Sequence, residues 1–499
     1  MTSAELYQQY RQQMQKVADI KYASALLQWD QETYLPQKAA AVRGQQIATL
    51  SELSHQLFTD EKLGRLLMEL KQRDDLSDDQ QRNITLTLED YNKHKKYTSE
   101  FVRRLTEKIN QSFHAWIEAR KQQSFAVFEK DLDDLIEMKK QEAEILGYAL
   151  HPYDALLDEF EKGCTVSLLD KTFANILPFL KELLDKILKQ PQVDDSFLKQ
   201  YFPKQQQWDW GMYLVRQLNF DFSAGRQDIS EHPFTINFAS TDVRITTRVD
   251  ENDFGNMTWS CIHETGHGLY EQGLPETEYG LPLGEAASLS IHESQSRLWE
   301  NNVGRSQSFW DYYFPKLQQF FPDQFGNITT EQFYKGINKV APSLIRTEAD
   351  ELTYHFHVFI RYELEKKLLE GTMRAKDIPS FWNEQYKKYL GVDIPNDKMG
   401  CLQDVHWSHG SFGYFPTYSL GSFYAAQFYF QLVTESGKPE ELLKDGSSSS
   451  ILEWLRENIH RHGRKFTSEE LCRKVTGKPL DTGFFRNYLL HKYSSIYTL

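Results

Sequence analysis

The spacing of apolar residues fits α-helices through most of this 499-residue chain and changes character in one stretch. In segment 165–190 the apolar residues form a single helical stripe, and Pro178 is expected to kink or break that helix. Segment 125–146 is also helical and stops at Gly147, a suitable C-terminal cap. Residues 232–249 are rich in Thr, Val, Ile and Phe and alternate in places, which predicts a hairpin or small sheet. The chain is therefore expected to be mainly α, with one small antiparallel sheet.

The chain is long enough for two or three packed lobes, and we expect a single domain over residues 1–499. Apolar residues make up 40% of the sequence and aromatic residues 14%, which is enough to fill a large interior. The predicted segments are a helical lobe at 1–200, a catalytic core with the small sheet at 201–420, and a C-terminal helical region at 421–499.

Net charge and cysteine usage exclude several classes of protein. A formal charge of −14 lacks the basic character that nucleic-acid or anionic-membrane binding requires. No apolar run approaches the length of a membrane span, and the polar N-terminus has no signal-peptide pattern. The four cysteines are far apart, with no Cys-x-x-Cys pair, which favours a reducing compartment. We therefore expect a cytoplasmic protein.

The segment His263-Glu264-Thr265-Gly266-His267 fits the His-Glu-x-x-His pattern of metallopeptidases. On a helix, positions i and i+4 share one face, so both imidazoles can reach the same metal ion. Glu264 then lies near the open side of that ion, where its carboxylate can take a proton from water. Two ordinary histidines on a core or surface helix are the alternative. Gly266 favours the metal site, because a helical glycine costs up to ~1 kcal/mol and a closely approaching element or ligand would explain it.

A catalytic zinc usually takes a third protein ligand and keeps one position for water. A long metzincin motif is excluded, since Tyr270 and Gly273 stand where that motif has Gly and His. The remaining option is a later glutamate, and the candidates are Glu271, Glu276, Glu278, Glu285, Glu293 and Glu300. Glu293 lies in the helical run 286–301, so it is the first candidate, with Glu285 and Glu300 as alternatives.

Several separate segments together resemble the family of metallocarboxypeptidases named after the thermostable Taq carboxypeptidase. They are His232-Pro233-Phe234, Asp242-Val243-Arg244-Ile245-Thr246, the motif at 263–267, His292-Glu293-Ser294-Gln295, Ile345-Arg346-Thr347-Glu348-Ala349-Asp350-Glu351-Leu352-Thr353, and Gly400-Cys401-Leu402-Gln403-Asp404-Val405-His406-Trp407. Weaker similarity extends from Trp29-Asp30 to the last residues, so the resemblance covers essentially the whole chain.

The resemblance implies a fold, an activity and a cofactor. The fold would be the large helical, deep-cleft architecture of neurolysin and angiotensin-converting enzyme, with the small antiparallel sheet next to the active site. The enzyme would release single C-terminal amino acids from peptides with broad side-chain preference. His263, His267 and Glu293 would hold one Zn²⁺ per chain, with Co²⁺ as the alternative, and the protein would be a homodimer.

Two arginines are candidates for binding the terminal carboxylate of the substrate, because a guanidinium can form a bidentate pair with it. By resemblance Arg346 is the first choice and Arg244 the second. A structural ion pair, with Asp350 for Arg346 or with Asp242 for Arg244, is the ordinary alternative.

Hydrolysis also needs a donor to the developing oxyanion. His406 and Tyr418 are the candidates, since related deep-cleft peptidases use a His and a Tyr in this role. Tyr414 and His409 stand close to them in sequence and could be confused with them. A buried side chain bonded to a backbone carbonyl is the ordinary alternative.

Three other functions compete with this one. An endo-oligopeptidase with the same metal site would also cleave peptides whose C-terminus is blocked by an amide. An aminopeptidase is disfavoured because the chain has no Gly-x-Met-Glu-Asn segment. A catalytically silent peptide-binding protein is disfavoured because it need not retain Glu264.

Overall fold

A computed structural model describes residues 1–499 and shows a mainly helical protein with one three-stranded sheet. The α-helices are α1 Ser3–Thr33, α2 Ala40–Phe58, α3 Glu61–Lys71, α4 Asp78–His94, α5 Ser99–Gln122, α6 Glu129–Leu146, α7 Pro152–Phe160, α8 Val166–Ile187, α9 Lys204–Gln217, α10 Phe254–Glu271, α11 Leu289–Arg297, α12 Gln307–Phe320, α13 Pro322–Phe325, α14 Thr330–Ile337, α15 Tyr354–Glu370, α16 Ile378–Leu390, α17 Phe415–Ser436, α18 Pro439–Leu442, α19 Ser449–Asn458, α20 Ser468–Thr476 and α21 Thr482–Ile496. None of these helices combines the length and the apolar character needed to cross a membrane.

Two helices that the sequence predicted are present, although α6 begins at Glu129 rather than near Phe125. Helix α6 ends at Leu146, and Gly147 follows with a positive φ of 84°. Helix α8 runs through Pro178 without interruption, so the expected break is absent, while the alternative of a kink stays a prediction. The apolar stripe of α8 is buried along its whole length. Burial contributes about 1.5–3 kcal/mol for each large apolar side chain, which offsets the ~3 kcal/mol that an internal proline costs.

The sheet consists of β1 Gly225–Ile229, β2 Thr235–Ala239 and β3 Asp242–Thr247, in the order β1-β3-β2. Strands β2 and β3 form the predicted antiparallel hairpin, whereas β1 pairs with β3 in parallel. The sheet is therefore mixed rather than antiparallel throughout. The chain reverses direction between β2 and β3, and β3 lies between β1 and β2 in the sheet. Strand β3 therefore runs antiparallel to β2 and parallel to β1.

The chain folds into two compact units, each assembled from three stretches of sequence. The first unit contains residues 1–95, 194–337 and 428–479, and the second contains 96–193, 338–427 and 480–499. The sheet and helices α10 and α11 belong to the first unit. Helix α15 and the segment 400–418 belong to the second.

Within the first unit, α10 packs against α9, α11 and β3. It begins after Asp253, whose side chain accepts a hydrogen bond from the backbone N–H of Gly255. At Gly266 a Cβ atom would lie 2.7 Å from Cα of Ser296 and 2.8 Å from the carbonyl oxygen of Gln295 in α11. The backbones of α10 and α11 are thus in direct contact. The close approach that Gly266 predicted is confirmed.

We expect Gly266→Ala to destabilise the protein by about 1–3 kcal/mol, because the added methyl group would force α10 and α11 apart. The measurement is the midpoint of urea unfolding. Gly44→Ala in α2 is the matched control, since nothing lies within 4 Å of its added Cβ, and alanine is the better helix former by up to ~1 kcal/mol. Equal unfolding midpoints for the two variants would contradict the close contact.

Candidate metal centre

Three side chains bring metal-ligating atoms together between α10 and α11. They are His263, His267 and Glu293, and their ligand atoms all lie within 4.8 Å of one another. Nε2 of His263 lies 3.7 Å from Oε2 of Glu293, and Nε2 of His267 lies 3.4 Å from the same oxygen. Ligands at about 2.0–2.1 Å from a tetrahedral zinc are roughly 3.3 Å apart. Two imidazole nitrogens and one carboxylate oxygen at this spacing fit such a metal.

Glu300 fixes the orientation of the His263 imidazole by a hydrogen bond at Nδ1, the ring nitrogen opposite the candidate metal position. Oε2 of Glu300 accepts a hydrogen bond from Nδ1 of His263 at 2.8 Å. This contact places the proton on Nδ1 and leaves the lone pair on Nε2 for a metal. Arg297 and Arg305 lie 3.3 Å from Oε2 and Oε1 of Glu300, respectively. Their charges and the hydrogen bond from His263 outweigh burial and lower the pKa of Glu300 to about 2.

His267 is held through a second histidine. Its Nδ1 lies 2.5 Å from Nδ1 of His292, and Nε2 of His292 lies 2.7 Å from Oε1 of Glu271. A carboxylate only accepts hydrogen bonds, so His292 donates from Nε2 and accepts at Nδ1. His267 then donates from Nδ1 and presents its Nε2 lone pair. The other oxygen of Glu271 accepts a hydrogen bond from Asn237 in β2 at 2.6 Å.

The third side chain, Glu293, turns one of its two oxygens toward the imidazoles. Its Oε1 accepts a hydrogen bond from Nε of Arg297 at 2.6 Å, whereas Oε2 faces the two histidines. Burial alone would raise the pKa of Glu293, but Arg297 and the histidines hold it well below its usual range. Burial lowers the pKa of His267 to about 3. An anionic carboxylate and a neutral imidazole are the protonation states that a metal requires.

Glu264 lies beside His263 on α10 and is buried. Its Oε2 accepts a hydrogen bond of 2.6 Å from the hydroxyl of Thr235, the first residue of β2. Burial raises the pKa of Glu264, while His263 and the hydrogen bond from Thr235 oppose the shift. The small sheet therefore fixes the carboxylate next to the candidate metal ligands.

The alternative third ligands lie elsewhere in the structure. Glu285 is 38% exposed and pairs with Lys21 at 3.3 Å. Glu300 contacts Nδ1 of His263, not its Nε2. Neither joins the group of three ligand atoms. Sequence reasoning considered Glu300 only as a metal ligand, whereas it orients His263. It gave His292 no role, although His292 directly precedes Glu293 in sequence and contacts His267.

The second unit brings Arg346, His406 and Tyr418 together. The guanidinium carbon of Arg346 lies 4.7 Å from the ring centre of Tyr418, and Nε2 of His406 lies 3.1 Å from the Tyr418 hydroxyl. Burial lowers the pKa of His406 to about 3, so its imidazole is neutral. Nδ1 of His406 is buried without a hydrogen-bond partner. In contrast, His409 is exposed and packs against Phe113.

The two arginines considered for carboxylate binding have different partners. Arg346 does not pair with Asp350, as the structural alternative supposed, but with Asp404, 58 residues away. The carboxylate of Asp350 instead accepts hydrogen bonds from its own turn, including the N–H of Thr353. Arg244 forms the expected two-point pair with Asp242, at 3.0 Å for each bond.

A helix with the His-Glu-x-x-His spacing, joined by a glutamate from a second helix, defines a metallopeptidase of the two-histidine, one-glutamate type. The sequence model of the carboxypeptidase Taq (M32) metallopeptidases matches residues 9–493. The chain belongs to this family and is a metallocarboxypeptidase.

Individual relatives are similar over nearly their full length. Carboxypeptidase 1 of Bacillus subtilis is 38% identical over 492 residues, which is 97% of each chain. The M32 carboxypeptidase of Deinococcus radiodurans is 38% identical, with a TM-score of 0.97 over 99% of this chain and 100% of that one. A solved structure described as that of CHT is 56% identical, with a TM-score of 0.96 over 98% and 99%. The mainly helical fold is thereby confirmed.

We expect Glu300→Gln to weaken metal binding by roughly 10- to 100-fold, because the imidazole of His263 would lose its anionic hydrogen-bond partner. Competition with a chelator of known affinity measures the dissociation constant. Glu285→Gln, which alters a carboxylate outside the cluster, should leave the constant unchanged. Equal metal affinities in the two variants would contradict the supporting role of Glu300.

Proposed function

We propose that the chain hydrolyses the last peptide bond of peptides and releases single C-terminal amino acids, with broad side-chain preference. The observation that carries this proposal is the convergence of three ligand atoms beside the buried carboxylate of Glu264. In this proposal His263, His267 and Glu293 hold one Zn²⁺ per chain, with Co²⁺ as the alternative. A divalent cation there would act as a Lewis acid and make water more acidic.

Glu264 is the proposed general base and acid. Its carboxylate accepts the proton of the attacking water and then transfers it to the amide nitrogen of the leaving amino acid. The hydrogen bond from Thr235 leaves the second oxygen of Glu264 available for this transfer. Burial, which raises the pKa of Glu264, also favours the proton that the carboxyl must carry between the two steps.

His406 and Tyr418 are the proposed donors to the oxyanion. Neutral imidazole and phenol groups can both donate a hydrogen bond without carrying charge. The unpartnered Nδ1 of His406 and its contact with the Tyr418 hydroxyl support this role.

Arg346 is the proposed anchor for the terminal carboxylate, and Arg244 is the second candidate. Nε and Nη2 of each arginine are bound by an aspartate, Asp404 for Arg346 and Asp242 for Arg244. Arg346 is preferred because its side chain is the more deeply buried and its guanidinium lies over Tyr418. An anchor of this kind sets the register, so that one residue leaves in each cycle. The endo-oligopeptidase with the same metal site remains the competing proposal.

The proposal extends to the cellular setting. We infer a cytoplasmic homodimer that acts on peptides and binds neither nucleic acid nor membranes. The four buried cysteines without disulfides and the net charge of −14 support this setting. Light scattering of the purified protein measures the oligomeric state.

We expect Glu264→Gln to keep its metal while peptide hydrolysis falls by several orders of magnitude, because the amide cannot accept the proton of water. The measurements are metal content and the turnover of one peptide. Glu276→Gln, an exposed glutamate just after the motif helix, should behave like the wild type. Turnover near the wild-type rate in Glu264→Gln would remove Glu264 from the reaction.

We expect a peptide with a free C-terminus to lose its last residue, whereas the same peptide with a C-terminal amide should not be cleaved. Mass analysis of both peptides after incubation with metal-loaded enzyme gives the result. Arg346→Met should raise KM for the free peptide by roughly 10-fold or more, because a hydrogen bond to a charged group is lost. Arg374→Met, at an exposed ion pair of the same unit, should not. Internal cleavage of the amidated peptide would favour the endo-oligopeptidase.

A further inference from the structure

Two buried arginines share a single carboxylate in the second unit. Oδ1 of Asp404 accepts hydrogen bonds from Nε and Nη2 of Arg346 at 3.0 and 2.9 Å. Oδ2 of Asp404 accepts a hydrogen bond of 2.7 Å from Nε of Arg361 and lies 2.6 Å from its Nη2. The exposed fractions are 7% and 0% for the two arginine side chains and 8% for Asp404. The three groups therefore interact with little screening by solvent.

Every N–H group of Arg361 has a partner. Besides the two contacts with Asp404, its Nη1 donates to the carbonyl of His357 and to the hydroxyl of Tyr386, and its Nη2 donates to Oε1 of Gln403. A guanidinium has five N–H groups, and five contacts are formed. Arg361 has no donor left for a substrate.

Arg346 is different, because only three of its five side-chain N–H groups have partners. Two bind Asp404, and Nη1 donates to the hydroxyl of Tyr354 at 2.9 Å. Its buried side chain therefore retains two donors without an acceptor. Buried donors of a charged group are costly to leave unsatisfied, which points to an anionic ligand.

Among the groups joined by hydrogen bonds, Arg346, Arg361 and Asp404, the charges do not balance. Arg346 and Arg361 each carry one positive charge, and Asp404 supplies the one carboxylate that bonds them. The next carboxylate, Glu365, bonds neither arginine. Its donors are the Tyr153 hydroxyl, Nε1 of Trp407 and the backbone N–H of Gly413. His357 is held neutral, since burial and the two guanidinium charges lower its pKa.

We propose that Arg361 is a positioning residue for recognition of the substrate's terminal carboxylate. Arg361 binds Oδ2 of Asp404 while Arg346 binds Oδ1, so the single negative charge of the aspartate is shared between two guanidinium groups. Asp404 therefore does not neutralise Arg346, and one positive charge remains for the substrate. The incoming carboxylate then completes a set of two guanidinium groups and two carboxylates. This inference rests on the proposed function of Arg346 as the anchor, but Arg361 itself touches no substrate.

Two substitutions at one position separate charge from packing. Arg361→Lys and Arg361→Gln both lose the guanidinium fork, but only lysine keeps the positive charge. KM for an N-acylated tripeptide with a free C-terminus should be roughly 10-fold or more higher in Arg361→Gln than in Arg361→Lys. The two kcat values should be similar. Lys366→Gln on the same helix, α15, removes a cation that pairs with Asp170 and Glu363 and should leave KM unchanged.

A double variant gives the sharper test. Asp404→Asn added to Arg361→Gln removes the carboxylate that would otherwise neutralise Arg346, so KM should return toward the wild-type value. A purely structural role for Arg361 predicts that the double variant is at least as impaired as the single one. If Arg361→Gln does not fold, the double variant is compared directly with Arg346→Met. A KM near the wild-type value supports the proposal, and a KM as high as that of Arg346→Met overturns it.

The inference and the proposed function fail in different ways. If Arg346→Met leaves KM unchanged, the anchor is misassigned and both fail. If Arg346→Met raises KM but Arg361→Lys and Arg361→Gln share one KM, only the role of Arg361 fails. Circular dichroism and thermal unfolding of each variant establish that folded proteins are compared.

Discussion

The backbone contact between α10 and α11 at Gly266 is the constraint on which the candidate metal centre depends. Two ligands come from α10 and the third from α11, and the side chains that carry them have fixed lengths. Nitrogen and oxygen atoms 3.4 Å apart can therefore be supplied only if the helices nearly touch. A residue without a Cβ allows this approach at the turn that also carries His267. Glycine lowers the stability of helix α10 by up to ~1 kcal/mol relative to alanine, and the close approach that forms the site requires it.

The buried carboxylates around this contact each have a charged or polar partner. Glu293 and Glu300 are each bonded to Arg297, and Glu271 is tied to the sheet through Asn237. A buried ion pair contributes little net stability, but removal of one partner leaves a costly unpaired charge. The role of these networks is to fix orientation. The cluster at Asp404 is different, because two arginines are hydrogen-bonded to a single carboxylate.

Sequence reasoning predicted local features well. Helical periodicity placed His263 and His267 on one face, and the Thr- and Val-rich stretch indicated the β2–β3 hairpin. It could not identify β1, whose residues Gly-Arg-Gln-Asp-Ile show no strand alternation and which is placed by pairing with β3. It placed Glu293 ahead of Glu300 but could not exclude Glu300, since the π-helix Leu298–Val303, which changes the phase of the helix between them, is not evident from the sequence. The division into three consecutive segments remains a prediction, whereas the compact units draw on interleaved stretches.

The sequence alone determined the helix that carries two histidines and a glutamate, and the need for a close neighbour at Gly266. These features follow from the 3.6-residue period and from the missing Cβ, which are properties of adjacent residues. Only the tertiary structure decided which glutamate completes the cluster and that Arg346 pairs with Asp404 rather than Asp350. Those choices depend on contacts between residues far apart in the chain, and such contacts are set by how the helices pack.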